Sequence, residues 1–131
     1  MTDDLPTVET IAERITIIRG QGVMLDFELA RLYGVSTTRL NQQVNRNSAR
    51  FPTDFAFHLT RSEWEGTLLQ IATTLHRSRR LDRLPLAFTE HGCLMLSNVL
   101  RSPRAVEVSV LVVRAGHPEV AGRDPKIDAI S

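Results

Sequence analysis

Apolar and polar positions follow two rhythms along this chain, and the changes of rhythm mark its elements. ITIIRGQGVML (15–25) holds two apolar runs around a glycine-containing turn, the pattern of a β-hairpin. From Asp26 to Asn47 the apolar positions take helical spacing. In DFELARLYGVSTTRLNQQVNRN, Asp26 is the expected cap of a first helix, and Leu29, Ala30 and Tyr33 form its inner face. Ala30 is small enough for a second helix to cross closely. Gly34 suits the left-handed residue that ends a helix, and Val35 fills the turn. Ser36 caps the second helix, whose inward residues are Leu40 and Val44.

Phe51-Pro52 stops this helical stretch, because proline disfavours helix in the residue before it. FAFHL (55–59) alternates as a strand does. Thr60 and Ser62 each have a glutamate three residues on, Glu63 and Glu65, which is the capping-box arrangement. Trp64, Leu68, Ile71 and Leu75 then form one helical stripe. PLAF (85–88) reads as a short strand, and Thr89 caps a helix carrying Leu94, Leu96 and Leu100. AVEVSVLVV (105–113) alternates like a strand, but Ser102-Pro103 is an N-cap followed by proline at the first helical position, and helix is predicted. Residues 1–10 read as a disordered acidic tail and 116–131 as a loose C-terminal tail, leaving one domain over 11–115. The fold class expected is α+β: a helix-turn-helix core with a β-hairpin and short strands, plus C-terminal helices.

The net charge of +1 conceals an uneven distribution. Residues 14–114 carry fourteen arginines against eight acids, whereas residues 1–13 carry four acids and no base. A basic body with acidic ends fits a nucleic-acid binder; it fits an arginine-rich composition equally well. There is one cysteine, Cys93, so neither an internal disulfide nor a cysteine-based zinc site is available, and Cys93 is expected in the core. No apolar run of about 18 residues occurs and the start lacks a signal peptide, so a cytoplasmic protein away from membranes is expected.

Little points to covalent chemistry. His58, His76, His91 and His117 show no metal-ligand spacing. Glu90 and His91 adjoin in sequence but face different ways on a helix, and Arg19-Gly-Gln-Gly22 lacks the lysine of a phosphate-binding loop. No enzyme activity and no cofactor are expected. The second helix is more informative. At about 100° per residue, Thr38, Gln42 and Asn45 point away from Leu40 and Val44, with Arg39, Asn41 and Arg46 beside them. Asn, Gln and Arg are the side chains that pair with adenine and guanine edges in the major groove. No acid occurs between Glu28 and Asp54 to repel phosphate. Arg77, Arg79, Arg80 and Arg83 are expected to lie along the phosphate backbone. The partner predicted is double-stranded DNA. The alternative is a protein-interaction module whose arginines face an acidic surface.

Three stretches carry a family resemblance: ITIIRGQGVMLDFELARLYGV, TTRLNQQVNRNSARFPTDFAFHLTRSEWE and LPLAFTEHGCLMLSNVLRSPRAVEVSVLVVRA. In this order and spacing they resemble the phage "ORF-six N-terminal" domain, a relative of the KilA-N and Bro-N DNA-binding domains. The resemblance implies a sequence-specific DNA-binding domain of phage or prophage origin, in a transcriptional regulator or antirepressor-like protein. It also favours helix over 103–115 and supplies no catalytic residues. In similar proteins the last helix leads into a longer helix or a second domain, while here GHPEVAGRDPKIDAIS follows, so a shortened prophage remnant is one expectation. Helix-turn-helix readers often act as dimers on paired half-sites. A homodimer is therefore compatible with this reading, with VSVLVV (108–113) as its candidate surface.

Overall fold

The computed structural model describes residues 5–71 and 83–117. Its hairpin joins β1 (Thr16–Ile18) to β2 (Gln21–Leu25) through Arg19 and Gly20, both at positive φ. Two such residues give the turn whose twist matches that of paired strands. The helical pair follows as α2 (Asp26–Tyr33) and α3 (Thr37–Arg46), then a 3₁₀ turn at Ser48–Arg50 and strand β3 (Ala56–His58). Helix α4 spans Arg61–Ile71, β4 Leu86–Phe88, α5 Glu90–Leu100 and α6 Pro103–Gly116. A short helix, α1 (Val8–Ala12), precedes them all.

The four strands form one antiparallel sheet in the order β1-β2-β4-β3. Alternation along the strands sends their side chains to two cores. Met24, Ala56, Leu86 and Phe88 join the larger core, with Leu29, Tyr33, Leu40, Leu96 and Val108 from the helices. Val23, Leu25, Phe57 and Ala87 join the smaller, which is closed by Trp64 of α4. The sheet thus lies between α4 and the other helices, and the fold is α+β.

Local signals produce most of these elements. Ser36, Thr89 and Ser102 each cap a helix by accepting a backbone N–H, and Pro103 opens α6. Thr60 and Glu63 form a reciprocal capping box: the Thr60 N–H donates to Glu63 Oε1 at 2.9 Å, and the Glu63 N–H to Thr60 Oγ1 at 3.1 Å. The helix over 103–115 prevails over the strand-like alternation because its inward residues Ala105, Val108, Ser109, Val112 and Ala115 recur at helical spacing.

Three expectations need correction. Residues 7–10 do not form a disordered tail: Thr7 caps α1 and Ile11 is fully buried, with Leu5 and Val8 packed against the core. Residues 1–4 and 118–131 lie outside the described residues. Asp26 is not the cap of α2. Leu25 occupies that position, and Asp26 is the first helical residue, 5 % exposed. Finally, the stretch 108–113 is a surface only in part, because Val108, Ser109 and Val112 face the core while Val110 stays exposed.

Among the described residues no helix is long and apolar enough to cross a membrane.

Candidate nucleic-acid interface

The turn between α2 and α3 sets the relation of the two helices. Gly34 takes the left-handed conformation at φ 77°, and the Val35 N–H returns to the Ala30 carbonyl at 2.9 Å. That pattern closes the last turn of α2 and satisfies carbonyls that a helix end leaves free. Ser36 Oγ then accepts the Arg39 N–H at 3.0 Å and starts α3. Leu40 and Val44 anchor α3 in the larger core.

Asp26 supplies a second, polar anchor. Its Oδ2 accepts from Asn41 Nδ2 on α3 at 3.1 Å and from the Leu86 N–H on β4 at 3.2 Å. One buried carboxylate therefore ties α2, α3 and the sheet together. Asn41 also donates to the Thr37 carbonyl at 3.1 Å. Both of its amide hydrogens are engaged inside the fold, so the structure separates Asn41 from the groove-facing set in which sequence spacing places it. A carboxylate fifteen residues away in sequence takes the Asn41 donor.

The other five residues of that set share the outer face of α3. Thr38, Arg39, Gln42, Asn45 and Arg46 are all exposed. Their side chains form no hydrogen bond or ion pair with other described residues. Of the two acids of α2, Asp26 is buried, and Glu28 is held by Arg14 at 2.7 Å. Arg31 and Arg50 add exposed positive charge close in sequence to α3.

Of Arg77, Arg79, Arg80 and Arg83, Arg83 is described and exposed; the other three lie outside the described residues. Arg83 and Thr37, the first residue of α3, line one small cavity together with Asp26, Phe27, Trp64 and Pro85. Arg83 thus approaches the start of α3. The indole Nε1 of Trp64 is buried without a hydrogen-bond partner among the described residues, and Trp64 packs edge-on against Phe27 at 5.9 Å between ring centres. It serves as the core residue that its stripe predicts.

Elsewhere the polar side chains make structural contacts. Tyr33 bonds Ser109 Oγ at 2.6 Å and the Cys93 carbonyl at 3.2 Å, which pins α2 to α5 and α6. Burial pushes the Cys93 thiol well above its ordinary range, as expected of a core cysteine. Glu90 turns from His91 to meet His117 at 2.7 Å, at the edge of a cavity of about 250 Å³ between the hairpin, α5 and α6. His91 stacks on Phe55. Among the described residues no group of three His, Cys, Asp or Glu is placed to hold a metal ion.

The family model of the ORF6N domain matches residues 13–99. The chain belongs to the ORF6N domain family. The match takes in the hairpin, the α2–α3 pair, the whole sheet and nearly all of α5, so the ORF6N region contains α3 in full. It stops short of α1 and α6, which pack against each other and complete the ORF6N core from outside. No curated protein and no solved structure gives a match.

Proposed function

We infer that this ORF6N chain binds double-stranded DNA, with α3 entering the major groove, as part of a phage- or prophage-derived regulator of transcription, antirepressor-like in kind. The observation that carries the reading is the outer face of α3: five exposed side chains of donor and acceptor type, without partners among the described residues, on a helix that itself carries no acid. Gln42 and Asn45 have the paired donor and acceptor that recognise an adenine edge, and Arg39 and Arg46 the fork that recognises guanine or phosphate. Family membership supports a phage-type regulatory or DNA-associated domain. The mechanism is binding without covalent chemistry, in which arginines position the protein and α3 reads sequence.

Asn41 acts in this scheme by fixing the pitch of α3 through Asp26. Arg83, with Arg77, Arg79 and Arg80 before it in sequence, contacts the phosphate backbone beside the start of α3.

Retardation of a labelled duplex across a salt series tests this directly. Binding should weaken steeply as salt rises, and replacing Arg39 and Arg46 by alanine should reduce the slope by about one for each phosphate that an arginine no longer neutralises. Retention of the duplex with no salt dependence, or no retention by folded protein at low salt, would instead support the protein-interaction module.

A further inference from the structure

Helix α6 shows a second face of interest. Its inner side is committed to the core, but Val106 and Val110 on its outer side stay 49 % and 43 % exposed. They lie four residues apart, so they form one apolar strip along the helix. Beside the strip stand Glu107 and Arg114, both exposed. These two are seven residues apart, about two turns, and therefore project from the same side of the helix. Val110 falls between them.

We propose that this face binds a second copy of the chain, α6 against α6, in antiparallel register about Val110. The charges select both partner and direction. A two-fold axis midway between Glu107 and Arg114 places Glu107 opposite Arg114 of the partner subunit, and Arg114 opposite Glu107 of the partner subunit. The two Val110 side chains meet at the centre. A parallel pairing would set Glu107 against Glu107 of the partner subunit and bring the arginines together as well, so the pattern disfavours it. A closed two-fold interface must be complementary to itself, and acid, valine, base in this spacing satisfy that condition.

The strip is small. A fourteen-residue helix is about 21 Å long and presents a side about 10 Å wide. That is well below the roughly 800 Å² per partner of stable complexes. The dimer is accordingly placed among weak, transient associations.

Sedimentation of the full chain from about 10 µM to about 1 mM, a range bracketing so small an interface, tests the proposal without DNA. Its outcome is therefore independent of the DNA-binding reading. The mass should rise from monomer toward dimer, and Val110→Glu should abolish the rise while leaving the circular dichroism and melting curve unchanged. Glu107→Arg and Arg114→Glu should each weaken association by about tenfold, and the double reversal should restore it. A monomer at every concentration would overturn the proposal. So would a dimer indifferent to Val110→Glu, or single reversals that the double does not rescue.

Discussion

Gly92 is the position at which local and tertiary physics predict opposite signs. It lies in the first turn of α5, where helix propensity alone favours alanine by up to about 1 kcal/mol. A Cβ built there would collide with the carbonyl oxygen of Phe55. That oxygen belongs to backbone, and it accepts the Thr89 N–H at 2.9 Å and the Thr89 hydroxyl at 3.2 Å. It cannot retreat without disturbing the cap of α5 and the approach to β3. Overpacking of this kind costs about 1–3 kcal/mol, and two weakened hydrogen bonds add about 1 kcal/mol each. After the propensity gain, Gly92→Ala should destabilise by roughly 2–4 kcal/mol. Gly66 is the matched control: it is exposed in α4, and a Cβ there meets nothing within 4 Å. Gly66→Ala should stabilise by about 0.5–1 kcal/mol. Urea unfolding followed by circular dichroism measures both. If Gly92→Ala were as stable as the parent or more so, the close approach of α5 to Phe55 would be refuted.

Other perturbations probe the scaffold of α3 and the hairpin. Asp26→Ala removes the acceptor for two donors, one the buried Leu86 N–H, and should cost about 2–4 kcal/mol in urea unfolding; a loss under about 0.5 kcal/mol would remove Asp26 as the anchor of α3. The Arg19 fork on Glu63, at 2.8 and 3.1 Å, and the Thr60 N–H hold the Glu63 carboxyl down at about 2. A lowered folded value stabilises the protein above the ordinary 4.5 and is lost as pH falls toward about 2, so Glu63→Gln should flatten the stability profile between those values. Parallel profiles for the two proteins would show that the fork does not couple to folding.

The features legible in the sequence are those whose cause is local. A glycine-containing turn in the hairpin, glycine at the end of α2, the Ser36 cap and a capping box at Thr60 or Ser62 are each decided within a few residues, and the structure selects Thr60 with Glu63. The proline after Ser102 outweighs a misleading alternation for the same reason. Long-range contacts are hidden. Nothing near Asp26 announces that its partner on β4 is sixty residues away, and nothing near Gly92 announces the Phe55 carbonyl. The Arg19–Glu63 fork spans forty-four residues. Helix α1 leaves no pattern because five residues are too few to show a period, and its stability comes from burying Ile11. On α3, periodicity identifies the outward face but cannot show that Asn41 is claimed from within.

Selection of bound sequences from a random duplex pool, at about 150 mM salt where non-specific binding is weak, tests the central claim most directly when the parent and Gln42→Ala are run side by side. The account predicts an enriched motif for the parent, and for the variant a relaxed preference confined to one or two base positions, worth about 1–3 kcal/mol each. An enriched motif left unchanged by Gln42→Ala, or no enrichment by a folded parent, would contradict the reading of sequence by α3.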